Sequence, residues 1–250
     1  MDRTVQKEKA MLTLFTSGTT QAPKKISHSW KYIDECADAT IKEIGLCGDD
    51  IVLGCLPPNT IAHYTITAYP AQRAKADYFS MKFESHEWIR KFKEVKPTVI
   101  TLIPAHWEIL RRAGTKPGEE DVNWKELDMS CVRYMVTGSQ KVSNEMIADF
   151  REKGVQTVAN WYGMTEAPPP VMIGYNSTTF DVNTIDESRW HVMFHPVTAT
   201  SNTYECYING KPTGDFFTND GSGYEFYGRR DIDEKRVTWT RKTWKTEIKK

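Results

Sequence analysis

Thr98-Val99-Ile100-Thr101-Leu102-Ile103 is a nearly unbroken apolar run held between Pro97 and Pro104. A run this short, bounded by prolines, predicts a strand buried on both faces. On its N-terminal side Ser85, Trp88, Ile89, Phe92 and Val95 recur at helical spacing and predict a helix capped at Ser85, and residues 76–81 predict the strand before it. On its C-terminal side residues 105–112 predict a helix and residues 114–120 a polar excursion. Residues 132–137 and 155–160 are two further strand candidates, with a helix over about 143–153 between them.

The alternation extends back to the N-terminus. Residues 51–56 predict a strand that Pro57-Pro58-Asn59 ends. Trp30, Ile33, Ala37, Ile41 and Ile44 form one helical stripe, with Ser27 expected as its N-cap and Gly45 and Gly48-Asp49-Asp50 as its stop. Residues 11–15 predict the first strand, which runs into a tight polar loop over 16–25. Buried strands alternating with amphipathic helices define an α/β class with a mainly parallel, helix-flanked sheet.

After Pro168-Pro169-Pro170 the texture changes. Residues 204–208, 216–218 and 224–227 are short strand candidates, with Asn209-Gly210 and Asp220-Gly221 as turns, so a small β-rich C-terminal subdomain is expected. The predicted organisation is an α/β core over 1–175, a β-rich subdomain over 176–235 that completes the core's site, and a charged tail over 236–250. The 33 basic and 33 acidic residues cancel, which argues against a general preference for nucleic acid or an anionic membrane surface. The five cysteines are odd in number and widely spaced, with no CxxC pair, and read as reduced thiols. The first residues carry charge where a signal peptide would carry its apolar core, and no apolar stretch is long enough to span a membrane. A cytoplasmic location is the expectation.

Four motifs carry the chemistry. The first is Thr16-Ser17-Gly18-Thr19-Thr20-Gln21-Ala22-Pro23-Lys24-Lys25, dense in glycine and hydroxyls that can turn toward phosphate oxygens, with Lys24 as a mobile positive charge. It lacks the GxxxxGK[ST] spacing of a Walker A loop. The others are Trp161-Tyr162-Gly163-Met164-Thr165-Glu166, then Thr213-Gly214-Asp215 with Asp220-Gly221 and Tyr224, and finally Gly228-Arg229-Arg230-Asp231. Taken singly, the loop also reads as a Ser/Thr-rich turn, Tyr162 as a core aromatic, Glu166 as a solvated acid, Asp215 as a turn residue and Arg229 as a surface charge. Together and in this order, the four resemble the TSGTTGxPKG, YGxTE, TGD…DGY and GRxD segments of the adenylate-forming acyl-CoA synthetase superfamily, the AMP-dependent synthetases and ligases.

That resemblance implies a partial adenylate-forming enzyme fold that uses ATP and Mg²⁺ to activate a small carboxylic acid as an acyl adenylate, with coenzyme A as a further substrate. It implies phosphate contacts by Thr16, Ser17, Gly18, Thr19 and Thr20, and makes Lys24, Thr165 and Glu166 the catalytic candidates, with Glu166 the magnesium ligand. Tyr162 is matched to the adenine face, and Asp215 and Arg229 to the ribose hydroxyls. Gly138, Ser139 and Gln140 stand where the family has its adenine loop, without its alanine–proline pair, and Asn160 adds an amide for the base. His63, in a loose match to the family's LPxFH region, is the acyl-pocket candidate and also reads as an ordinary packed or surface histidine. His191 and His195 lack the HExxH pattern and are assigned no metal.

The sequence departs from the family pattern at Gln21 and Lys25, each in place of a glycine. After Asp231, Lys242, Lys245, Lys249 and Lys250 lack the motif that surrounds the family's catalytic lid lysine, so a separate lid-supplying protein is a candidate partner. The alternative function is a non-catalytic module that binds ATP, AMP or an acyl adenylate.

Overall fold

The protein's structure, a computed structural model, describes residues 10–16, 23–114, 122–233 and 236–239. Ser17, Gly18, Thr19 and Thr20 lie outside the described residues, as does most of the polar excursion after Gly114.

The chain opens with strands β1 (Met11–Thr16) and β2 (Lys24–Ser29), paired antiparallel with Met11 opposite Ser29 and Thr16 opposite Lys24. The loop motif therefore joins the two strands of a hairpin. β2 runs directly into helix α1 (Trp30–Ile44), capped by Ser29, whose Oγ accepts from the Tyr32 N–H at 3.2 Å, and closed by Gly45 at φ 65°. The expected cap at Ser27 is corrected: six backbone pairs keep residues 24–29 extended, and the Ser27 hydroxyl bonds to that of Thr13 across the hairpin at 2.9 Å. The helix starts at the next hydroxyl residue, where the pairing ends.

Then follow β3 (Ile51–Gly54), a turn of π-helix (His63–Thr67) leading into α2 (Ala68–Ala74), β4 (Asp77–Ser80), α3 (Ser85–Val95), β5 (Val99–Thr101) and α4 (Pro104–Arg112). After them come β6 (Tyr134–Gly138), α5 (Asn144–Glu152), β7 (Val158–Tyr162) and β8 (Met172–Tyr175). Ser143 caps α5; in α3 the cap is Glu84 rather than Ser85, its carboxylate accepting from the Glu87 N–H at 2.8 Å.

These strands form one sheet in the order β4-β3-β5-β6-β7-β8, parallel throughout except for β8 at one edge. Successive residues of a strand face opposite ways. Leu53, Ile100, Met135 and Val158 accordingly enter one apolar layer with Trp88, Phe92, Trp107, Leu110, Met146 and Phe150 of the covering helices. Val52, Val99, Val136 and Ala159 enter the layer on the other face, with Ile44, Leu46 and Ala71. Each fully buried aromatic of this kind stabilises the fold by about 2–3 kcal/mol relative to exposure. The run 98–103 is thus the middle of a sheet covered on both sides.

The second sheet is antiparallel: β10 (Val192–Pro196), β11 (Thr203–Ile208), β12 (Lys211–Asn219), β13 (Tyr224–Asp233) and β14 (Arg236–Trp239) in sequence order, with β9 (Thr179–Phe180) on β13. β14 extends this sheet into the segment read from sequence as a charged tail. Tyr162, at the end of β7, packs edge-on to Phe217 of β12 at 5.2 Å between ring centroids, and Phe180, Trp190 and Cys206 share that cluster. One apolar core joins the two sheets there.

Candidate functional site

In parallel α/β sheets the loops at the carboxyl ends of the strands form the crevice in which ligands bind. Here the ends of β6 and β7 open into a cavity that β12 and β13 of the second sheet close from above. Its lining brings together Gly138, Ser139, Gln140, Asn160, Tyr162, Asp215 and Arg229, all expected from sequence although they span more than ninety positions. The count of intervening residues matters less than the fold that removes it: two strand ends of one sheet meet two strands of another.

Backbone packing shapes the floor. A Cβ on Gly138 would lie 2.3 Å from the Trp161 carbonyl oxygen, so only glycine lets β6 turn this close to β7. Ser139 follows at φ 64°, a left-handed conformation that completes the tight turn. Gln140 is committed elsewhere: its Oε1 accepts from the Ala105 N–H at 3.1 Å, satisfying a free donor at the start of α4. Asn160 is buried, with Nδ2 3.5 Å from the Thr178 carbonyl.

Asp215 is fully buried and still ionically satisfied. Arg229 donates to it through Nε at 2.6 Å and Nη2 at 2.8 Å, and the Tyr162 hydroxyl donates to Oδ2 at 2.8 Å. The Asp215 N–H donates to Thr213 Oγ1, whose hydroxyl donates in turn to the Cys206 carbonyl. A forked guanidinium on a carboxylate is the strong, orientation-specific form of such pairing. Asp215 and Arg229 face each other directly across the β12–β13 ladder, next to a bulge between Phe216 and Phe217 that re-aims the strand. The hydrogen bonds Arg229 donates to Asp215 raise its pKa, burial opposes them, and the charges of Asp215 and Glu166 add to the rise. Burial pushes the Tyr162 phenol well above its ordinary value, and the Asp215 charge adds to this, so the hydroxyl stays a donor.

The phosphate-side candidates meet on an open rim. Lys24 Nζ lies 3.3 Å from Glu166 Oε1, with side chains 66% and 39% exposed, so two residues 142 positions apart form one accessible ion pair. The His28 Nε2–H donates to the Thr165 carbonyl at 2.6 Å and ties β2 to the segment after β7. Gly163, on the way to Thr165, packs against Pro169, whose Cβ and N would both lie 2.7 Å from an added Cβ.

His63 is not on this cavity. Its Nδ1–H donates to the Leu56 carbonyl at 3.3 Å, and it lines a separate aromatic groove with Trp30, Tyr64, Tyr69 and Tyr78. Sequence reading missed Lys141, Thr178, Phe180, Glu225 and Phe226 on the cavity that Asp215 and Arg229 line. Lys141 directly follows the singled-out Gly138-Ser139-Gln140, and Glu225 directly follows Tyr224, so extending each motif by one residue was the available signal. Among the described residues, no group of three or more His, Cys, Asp and Glu is arranged to hold a metal. One carboxylate suffices for a magnesium ion whose remaining ligands are phosphates and water, and Glu166 is exposed at the rim where such a ligand is accessible.

The family pattern described as AMP-binding enzyme matches residues 1–201. The chain belongs to that family. Among its curated relatives, an indoleacetate–CoA ligase of Aromatoleum aromaticum is 28% identical over 169 residues, which cover 67% of this chain and 31% of the relative. A long-chain-fatty-acid–CoA ligase of Mycobacterium tuberculosis is 23% identical over 157 residues, covering 63% and 29%. The chain thus spans about a third of the length of the curated relatives it matches.

Two solved structures show the family fold. An anthranilate CoA ligase in complex with anthranoyl-AMP superposes with a TM-score of 0.72 at 15% identity, over 87% of this chain and 46% of that one. An O-succinylbenzoate coenzyme A synthetase from Bacillus subtilis, in complex with ATP and magnesium ion, gives 0.65 at 16% identity, over 91% and 52%. The mainly parallel sheet with a β-rich unit beside it is therefore the AMP-binding family's architecture. No helix among the described residues is long and apolar enough to cross a membrane.

Proposed function

We propose that this chain is the nucleotide-binding core of an ATP-dependent carboxylate-activating ligase. The observation that carries the reading is that Gly138–Gln140, Asn160 and the Tyr162–Asp215–Arg229 cluster line one cavity, while Lys24 and Glu166, from the first and second motifs, pair on an open rim.

In this reading Asp215 and Arg229 hold the ribose hydroxyls. A carboxylate oxygen already fixed by Arg229 and Tyr162 keeps lone pairs for a sugar hydroxyl. Tyr162 and the loop 138–140 border the base. A carboxylate oxygen of the acid bonds to the α-phosphorus of ATP as the bond to the bridging oxygen of pyrophosphate breaks, leaving an acyl adenylate. Lys24 offsets the negative charge of the phosphates, together with the hydroxyl loop Thr16–Thr20, and the Thr165 hydroxyl donates to the α-phosphate. Glu166 would hold a magnesium ion, which would supply Lewis-acid neutralisation of negative charge. Coenzyme A is the acceptor of the acyl group in a second step, and His63 belongs to the acyl side.

ATP–pyrophosphate exchange across a panel of small carboxylic acids, with direct detection of acyl-AMP, tests the reading. Acid-dependent exchange is the expected result. Calorimetric titration with ATP and AMP that shows no saturable binding, with or without magnesium, overturns it.

A further inference from the structure

The family motifs leave two charged side chains of the cavity without a role. Four charged residues line it; Asp215 and Arg229 are taken up by each other, and Lys141 and Glu225 remain. Lys141 comes from the turn after β6 in the first sheet and Glu225 from β13 in the second. They meet over the cavity, with Lys141 Nζ 2.9 Å from Glu225 Oε1 and side chains 30% and 35% exposed. We infer that Lys141 and Glu225 determine base specificity at this site by reading the amino edge of adenine; the inference rests on the nucleotide reading proposed above.

Placement is the first argument. Glu225 and Arg229 sit on one strand, paired with Thr218 and Asp215 of β12, respectively. At about 3.3 Å per residue the two positions are on the order of 13 Å apart, less the shortening at the bulge. That span is comparable to a nucleoside from its sugar hydroxyls to the far edge of its base. With the sugar at Asp215 and Arg229, the far edge of the base comes to the Lys141–Glu225 end. Between the two ends the cavity is walled by Phe226, Phe180 and Tyr162, which suit a flat ring.

Chemistry is the second. An ammonium only donates and an ionised carboxylate only accepts. Adenine offers an amino donor flanked by ring-nitrogen acceptors, which matches one acceptor and one donor side by side. Hypoxanthine replaces the amino donor with a carbonyl, and that oxygen then confronts the Glu225 carboxylate. Lys141 aims Glu225 through the 2.9 Å contact, which makes it the positioning partner. Gln140 Oε1 already serves α4, so it does not compete for the amino group.

Calorimetric titration of the full chain with AMP and with IMP tests the inference, using Glu225→Gln and Glu225→Ala beside the parent. The parent is expected to bind AMP roughly tenfold more tightly than IMP. Glu225→Gln, whose amide can donate to a carbonyl, is expected to bring the two within about threefold, and Glu225→Ala to weaken AMP with little change for IMP. A parent that binds both with equal affinity, or a preference unchanged in both variants, overturns the base assignment and leaves the nucleotide reading standing. Failure of the parent to bind either nucleotide overturns the nucleotide reading itself, and this inference with it.

Discussion

The two ends of the candidate site are built in opposite ways. At the Asp215 end a carboxylate with no exposure receives three side-chain hydrogen bonds, from two residues that are themselves held by strand pairing and aromatic packing. At the Lys24 end a single contact of 3.3 Å joins two largely solvated side chains. Burial makes the first cluster expensive to leave incomplete, because a carboxylate taken out of water needs partners whether or not a ligand is present. Exposure makes the second inexpensive to open, because water replaces either partner. The Asp215 end, proposed above to hold the sugar, is thus preorganised by the fold, whereas the Lys24 end, proposed to face the phosphates, is left open to the charges that arrive. The contrast suits a site that has to grip one part of its ligand while the other part reacts.

Replacing Asp215 by Ala attacks this contrast most directly. Arg229 and Tyr162 lose their shared acceptor, and we expect a loss of about 3 kcal/mol in urea unfolding together with at least a tenfold weaker affinity for AMP. Gly138→Ala tests whether the floor is equally rigid. An added methyl 2.3 Å from the Trp161 oxygen forces β6 away from β7, and a loss of about 2–3 kcal/mol is expected on the same measurement, with weaker AMP binding.

A buried pair outside the site sharpens the comparison. Arg133 donates to both oxygens of buried Asp50, at 2.8 and 2.6 Å, and to the Ile44 carbonyl at the end of α1. Burial raises the Asp50 pKa, but hydrogen bonds from Arg133, Thr98 and the Cys47 N–H outweigh it and bring the carboxyl to about 2. A folded-state pKa below the unfolded value means the contribution is complete above about pH 4 and is lost as pH falls toward 2. Unfolding followed between pH 5 and 2 is expected to show a loss of about 2 kcal/mol that the Arg133→Met variant does not show over that window.

Tyr162→Phe removes one of three donors and leaves the Arg229 fork in place. We expect about 1 kcal/mol in stability and a modest loss of AMP affinity, in a folded protein. The smallest effect on stability is expected at the open end. Lys24→Gln and Glu166→Gln change urea stability by less than about 0.5 kcal/mol, yet weaken ATP more than AMP in calorimetry. Equal losses for the two nucleotides would remove Lys24 and Glu166 from the phosphate end and erase the contrast.

Much of the local structure was written in the sequence. Periodicity located the strands around 51–54, 99–101, 134–138 and 158–162 and the helices between them, because side-chain spacing alone decides which faces can be buried together. The motif residues Gly138, Tyr162, Asp215 and Arg229 were likewise legible, since their chemistry and order survive without coordinates. What the sequence could not decide depends on which distant segments pack. Residues 24–29 have no strong strand signal and become β2 only because β1 supplies the pairing, which moves the helix cap from Ser27 to Ser29. Residues 172–175 become an antiparallel edge strand because β7 offers a free edge. His63 went to another groove, and Lys141 met Glu225, 84 residues away in the chain, through the closing of one sheet over another. Tertiary structure alone also decided that Asp215 would be fully buried and saturated while Glu166 stayed open, since burial is a property of packing and identical carboxylates differ only in what surrounds them.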